Sequence, residues 1–220
     1  MNTHTEENYL KAIYTLNQKS DASATTSNIA EKLETKASSV TDMIKRLSEK
    51  GLVNYKKYKS ISLTKKGKEV AVNIIRKHRL WESFLVKKLN FKWDEVHDIA
   101  EQLEHIQSPE LTARLDKYLG HPKFDPHGDP IPDEDGNIHD REDYLLAELT
   151  SGNKCIIVGV KDSSSEFLQY LEQRKLTLGK ALIIKECFDY DGSVAVISEE
   201  DREITLSKQA SNNIRVTKTY

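Results

Sequence analysis

The sequence predicts a mainly α-helical N-terminal part followed by a small β-rich domain. Three observations predict it. Apolar residues recur at helical spacing to about residue 118. The stretch 120–140 then holds four of the five prolines and three of the nine glycines, and supports no regular element. From Lys154 the pattern turns to strands, CIIVGV, KALIIKECF, SVAVIS and REITLS.

The elements follow in order. Residues 5–17 place Tyr9, Leu10, Ile13, Tyr14 and Leu16 on one stripe of a helix. Thr25, Thr26 and Ser27 are candidate caps for a second helix over 28–33. After a short turn at 34–36, Ser38 or Ser39 is expected to cap a third helix. It runs to about Lys50 with Val40, Ile44 and Leu47 inward, and Gly51 ends it. VNYKKYKSISLT, 53–64, alternates like a hairpin with its turn near 58–60. Two longer helices are expected at 68–89 and 94–118, and a short one at 141–149. The stretch 121–140 reads as a linker or a loop laid over a surface. An amphipathic helix over 164–173 interrupts the strands, and 150–220 is expected to close into a compact barrel.

Composition sets further bounds. With 37% hydrophobic residues, the chain carries enough apolar content to fold. No run of about 18 apolar residues exists, so a transmembrane helix is not expected. The start, MNTHTEENYLKAIYTL, alternates charged and apolar residues and does not read as a signal peptide. Cys155 and Cys187 form no CxxC pair, so neither a disulfide framework nor a zinc ribbon is expected, and the cytoplasm is the expected compartment. The formal charge of −2 hides two unlike halves. Residues 1–79 hold 16 of the 33 basic residues but only 8 of the 35 acidic ones, a net +8. The remainder carries −10.

A basic helix, turn, helix and hairpin is the arrangement of a winged helix-turn-helix, and the local charge suits double-stranded DNA. A helix fits the major groove, and its N-terminal residues reach base edges. Ser38, Ser39, Thr41 and Asp42 are the candidate readers, with Lys36 just ahead and Lys45 and Arg46 further along for phosphates. Thr26 and Ser27 open the preceding helix and join the set. Lys56, Lys57 and Lys59 lie in the hairpin as a wing along the backbone. The alternative is a helical hairpin with solvated lysines.

The second signal is EVHDIAEQLEH. His97, Glu101, Glu104 and His105 stand at i, i+4, i+7 and i+8, which one helix would present on one face. Carboxylates and imidazoles so gathered suit a divalent transition metal. His78 and Glu82, in RKHRLWE, repeat the i, i+4 spacing on the preceding helix. The alternative is a solvated acidic face with hydrogen-bonded His–Glu pairs.

These segments carry a resemblance. EENYLKAIYTL, IAEKL with SSVTDMIKRL, GLV, LTKKGK, RKHRLWESFL, VHDIAEQLEHIQS and PHGDPIP together resemble the diphtheria-toxin-repressor family of metal-dependent transcriptional regulators, in its manganese-transport-regulator branch. The likeness runs to about residue 132. The tail resembles, more weakly, the SH3-like domain of longer members. The resemblance implies a winged helix-turn-helix over 1–72, a helical metal-binding and dimerisation domain over 73–140, and an SH3-like barrel over 150–220. It implies a homodimer on operator DNA that represses metal-uptake genes. It further implies that metal orders the first helix and so sets the spacing of the two reading heads.

The family's two sites carry over by position. A regulatory site falls on Asn8, Glu101, Glu104 and His105. An ancillary site falls on His78, Glu82 and His97, with Glu166 borrowed from the SH3-like domain and Asp162 or Ser163 as its alternates. Glu101 stands where iron-responsive members carry Cys, and a hard oxygen ligand favours Mn(II), with Fe(II) the next candidate. Asn8 stands where the manganese branch carries Asp, and its capping of the first helix is the alternative role. Lys11 replaces an acidic ligand position of some manganese members. The PHGDPIP loop, with His121, Asp125, His127 and Asp129, reads as a structural connection. A winged-helix regulator of an organic ligand is the second function class, and a metallohydrolase the third. No HExxH, nucleophile elbow, P-loop or GxGxxG motif is present, so no enzyme is expected.

Overall fold

The computed structural model describes residues 2–18, 24–56, 60–139 and 141–219. They fall into two compact units. The first comprises Met1–His78, Glu101–Ala113 and Pro132–Asn137, and the second Arg79–Ala100, Arg114–Ile131 and Ile138–Tyr220.

The first unit begins with α1 (His4–Gln18). A capping box starts it: Thr3 Oγ1 accepts from Glu6 N at 3.3 Å, and Glu6 Oε2 accepts from Thr3 N at 3.0 Å. Asn8 therefore lies one turn inside α1, and the capping that was its alternative role is supplied by Thr3. In α2 (Thr26–Lys32), Thr25 accepts from Asn28 N at 3.2 Å as N-cap. Glu34, with φ +48°, turns the chain into α3 (Ala37–Glu49). The expected serine cap is not there. The helix starts at Ala37, behind Lys36, which makes no side-chain cap bond. Ser38 and Ser39 are thus helical residues, both exposed. Gly51, at φ +69°, ends the segment. Leu10, Ile13, Ile29, Val40, Ile44 and Leu47 are fully buried, and α1 packs on α2 while α2 packs on α3.

The wing is a short antiparallel pair, β1 (Val53–Asn54) with β2 (Ser62–Leu63). Lys57 and Lys59 lie outside the described residues. α4 (Lys65–Leu89) begins where Thr64 Oγ1 accepts from Gly67 N at 3.1 Å. A Cβ at Gly67 would stand 2.0 Å from the Leu52 carbonyl oxygen, so this close approach requires glycine.

The long helix expected over 94–118 is two shorter ones, α5 (His97–Leu103) and α6 (Pro109–Tyr118). Pro109 takes the first helical position of α6, where its missing N–H costs nothing, and Ser108 Oγ accepts from Leu111 N at 3.2 Å. Glu104 and His105 consequently lie in the turn after α5, and the single-face placement of His97, Glu101, Glu104 and His105 does not hold.

In the second unit, the helix expected at 141–149 is β3 (Tyr144–Leu145) followed by a 3-10 turn, Leu146–Glu148. There follow β4 (Lys154–Val160), α7 (Ser165–Gln173), β5 (Ala181–Cys187), β6 (Val194–Ser198), β7 (Glu203–Leu206), α8 (Lys208–Ser211) and β8 (Ile214–Thr219). They form one antiparallel sheet in the order β3-β8-β4-β5-β6-β7. Its core holds Leu146, Ile157, Leu168, Leu171, Val196, Leu206 and Val216, together with Trp93. The proline-rich loop lies on β4. His127 O accepts from Val160 N at 2.9 Å, and a Cβ at Gly128 would stand 2.1 Å from the Val158 carbonyl oxygen. Among the described residues no helix is long and apolar enough to cross a membrane.

Candidate metal centre and nucleic-acid interface

In the first unit, α1 brings Glu7 and Lys11 to the turn that carries Glu104 and His105, with Asn8 between them in sequence. Glu104 is buried, and its Oε2 accepts from Lys11 Nζ at 2.6 Å. His78 Nδ1 stands 2.6 Å from the same oxygen and 3.2 Å from Lys11 Nζ. One nitrogen cannot donate to Glu104 and accept from Lys11 together. We assign its proton to the shorter contact, where His78 donates to Glu104. Burial pushes the Glu104 carboxyl up, but the His78 hydrogen bond and the Lys11 charge outweigh it and hold it below the usual carboxylate range. Lys11 also reaches Glu101 Oε1 at 3.3 Å.

His105 is buried with its Nδ1 2.7 Å from Glu7 Oε2. Glu7 Oε1 in turn accepts from Gln107 at 2.8 Å. Nδ1 therefore donates to Glu7, which in the neutral ring leaves Nε2 as the acceptor. Nε2 lies 3.8 Å from Glu104 Oε1, beyond hydrogen-bond reach. Two buried oxygens have no hydrogen-bond partner, Glu104 Oε1 and, on α1 one residue after Glu7, Asn8 Oδ1. Buried polar atoms are normally paired, so the orphaned Glu104 oxygen, 3.8 Å from His105 Nε2, fits a cation that takes oxygen and nitrogen ligands. Glu7 was missed in the sequence. Its neighbour Asn8 drew attention, but only the turn at 104–105 brings Glu7 against His105.

In the second unit, Glu82, Asp125 and His127 are all buried, with one donor atom each mutually within 4.8 Å. Glu82 lies 3.5 Å from His127 Nδ1 and 3.5 Å from His97 Nδ1. His127 Nε2 donates to the Trp93 carbonyl at 2.8 Å. Burial pushes the His127 imidazole down, but Glu82 and Asp125 push it back up to about 9. Burial and the charges of Glu82 and Asp129 raise the Asp125 carboxyl to about 7, against the pull of Arg79 and His127. Shifts of this size in a buried cluster mark a candidate site. Asp125 and His127 were read from the sequence as parts of a connection; their approach to Glu82 depends on the loop's path over β4. His121 pairs instead with Asp116 at 2.8 Å, and Asp129 with Arg215 at 2.6 Å. Glu166 is exposed in the first turn of α7. Its neighbours Ser165 and Gln169 bind Asp94, three residues ahead of His97. Asp162 Oδ1 accepts from Ser164 N at 2.9 Å. His78, in the first unit, precedes Glu82 by one turn of α4.

Lys36, just ahead of α3, and Ser38, Ser39, Asp42, Lys45 and Arg46 on it are exposed, as are Ser27 and Lys56. Thr26 and Thr41 are half-buried, and Thr41 Oγ1 donates to the Ala37 carbonyl at 3.0 Å. Lys45 lies 3.6 Å from Asp42. Glu6, fully buried, pairs with Lys50 at 2.6 Å and Arg46 at 3.5 Å, joining α1 to the end of α3. Arg46 remains 58% exposed.

Residues 1–61 match the iron dependent repressor N-terminal DNA binding domain. Residues 64–133 match the iron dependent repressor metal binding and dimerisation domain, and 144–218 the FeoA domain. The chain is 36% identical over 161 residues to the iron-dependent repressor IdeR of Mycobacterium tuberculosis, covering 70% of each. It is 28% identical over 223 residues to the diphtheria toxin repressor of Corynebacterium diphtheriae, covering 96% of each. A solved manganese-dependent transcriptional repressor in complex with manganese superposes with a TM-score of 0.87 at 33% identity, over 97% of this chain and 100% of that one.

Proposed function

Because the chain belongs to the iron-dependent repressor family of metal-dependent transcriptional repressors, we propose that it binds operator DNA as a homodimer in answer to Mn(II), with Fe(II) the second candidate, and controls metal-uptake genes. The observation that carries the metal is the orphaned Glu104 Oε1, 3.8 Å from His105 Nε2, with a second orphaned oxygen, Asn8 Oδ1, on α1. Asn8, Glu101, Glu104 and His105 would hold the regulatory ion. The donors are oxygens and one imidazole with no thiolate, which favours a hard divalent ion. The manganese-bound relative supports that choice. A second set would be His78, Glu82 and His97 with Glu166, His78 entering on its spacing alone; Asp125 and His127 add further donors at Glu82. Residues 1–72 serve as the reading head, 73–140 as the metal-binding and dimerising part, and 150–220 as the SH3-like domain.

A bound divalent ion supplies positive charge that draws its ligands together. The chain's own residues carry that event to DNA. Glu7 orients His105, and Asn8 shares α1 with it. Glu6, on the same helix, holds Lys50 and Arg46 of α3. α1 is thus one rigid link from ligands to reading helix. Exposed Ser38, Ser39 and Asp42 face base edges, while Lys36, Lys45, Arg46 and Lys56 meet phosphates, with Thr26, Ser27 and Thr41 beside them.

The test is a gel shift on an operator selected from a random duplex pool with Mn(II) present. Binding should appear with Mn(II), vanish with chelator, and be lost in Glu104→Gln. Binding indifferent to chelator would favour an organic-ligand regulator.

A further inference from the structure

The ammonium of Lys11 occupies the regulatory ligand set. It lies 2.6 Å from Glu104 Oε2, 3.3 Å from Glu101 Oε1 and 3.2 Å from His78 Nδ1. Both carboxylates are ones that would hold the metal. Lys11 is mostly buried, with 18% of its side chain exposed, and its backbone carbonyl accepts from Thr15 within α1. Lys77, also buried, donates to the Ile106 carbonyl at 3.3 Å and feels Glu7 and Glu104. Of these two cations, Lys11 touches the carboxylates directly.

We propose that Lys11 is a tethered internal cation that competes with the metal, and that metal binding is an exchange in which the Lys11 ammonium leaves Glu101 and Glu104. This rests on the reading of Glu101, Glu104, His105 and Asn8 as the regulatory site.

Three physical points carry it. Carboxylate oxygens that accept from an ammonium offer fewer lone pairs to a metal. A 2+ ion on Glu104 and a 1+ ammonium in contact with the same carboxylate repel at a range where partial burial weakens screening. Lysine hangs on a flexible four-carbon stem and is already partly exposed, so its route to solvent needs no backbone motion.

The exchange has two consequences. Lys11 lies on α1, three residues beyond Asn8, so its ion pair docks α1 before any metal arrives. The metal then replaces one cationic tie with another, which departs from a helix that is disordered until metal binds. The exchange also sets a threshold. The apparent metal affinity is the intrinsic one multiplied by the fraction of molecules in which Lys11 has left.

Mn(II) titration with a competing fluorescent chelator tests this, on wild type, Lys11→Met, Lys11→Gln, Lys11→Arg and Glu104→Gln. Lys11→Met and Lys11→Gln should bind Mn(II) roughly tenfold more tightly at the Glu104-dependent site. Lys11→Arg, which keeps the charge, should stay near wild type. Thermal melts supply a second readout. Metal-free Lys11→Met should melt below metal-free wild type, having lost the carboxylates' counter-ion, and should gain more on adding Mn(II). A merely structural lysine would lower both melts equally. Glu104-dependent binding in wild type with unchanged or weaker affinity in both neutral variants overturns the competition and leaves the site standing. No Glu104-dependent binding in any variant overturns the site and the competition with it.

Discussion

Glu7 Oε2 lies 2.7 Å from His105 Nδ1, and the other nitrogen of that ring, Nε2, is turned toward Glu104 Oε1 at 3.8 Å. The carboxylate fixes the tautomer and the ring orientation. A residue with no expected metal contact thus decides how the proposed ligand His105 presents itself.

Glu7→Gln tests this directly. The amide keeps the shape and loses the charge. Mn(II) affinity should fall about 10–100-fold, the usual cost of losing such a partner. Direct titration measures it, and an unchanged affinity would leave Glu7 a packing residue.

Asn8→Asp changes the site itself. Asn8 Oδ1 is buried without a hydrogen-bond partner. An aspartate there adds a third negative charge to Glu101 and Glu104. The added attraction for a 2+ ion should exceed the cost of desolvating the carboxylate, because the ion compensates it. Mn(II) affinity should rise while the metal-free protein melts lower, its new charge having no partner. Helix capping cannot mimic the effect, since Asn8 lies inside α1. Unchanged affinity would remove Asn8 from the ligand set.

Reading and positioning on DNA separate by salt. Lys56→Ala in the exposed wing should weaken binding to all duplexes and flatten the slope of log K against log salt by about 0.9 for the lost phosphate. Ser39→Ala, on the exposed start of α3, should leave that slope alone and relax base preference at one position. A mobility-shift series in salt, run on selected and scrambled duplexes, distinguishes them.

What could be read from the sequence depended on range. Apolar spacing over 5–17 and 68–89 announces α1 and α4, and Gly51 and the alternating 53–64 announce the end of α3 and the wing, because each signal is local. The turn at 104–108 was missed because Glu104 and His105 continue a helical spacing; only Pro109, as first residue of the next helix, betrays the break. β3 was read as a helix because Tyr144 and Leu145 gain their strand character from pairing with Val216 and Arg215 far along the chain. The ligand-type residues Glu101, Glu104 and His105 were legible from their chemistry. The partners that tune them were not, because Glu7 with His105 and Lys11 with Glu104 are separated by more than ninety residues.

In the proposed mechanism metal and DNA are linked through α1. Glu6→Gln should cut that link at Lys50 and Arg46, lowering the coupling while leaving Mn(II) affinity of the free protein unchanged. The direct measurement is calorimetric titration of Mn(II) into wild-type protein alone and into protein saturated with the selected operator. Linkage requires DNA to tighten metal binding by the factor with which metal tightens DNA binding. The expected tightening is about 5–150-fold, or about 1–3 kcal/mol. Equal Mn(II) affinities with and without DNA would contradict it.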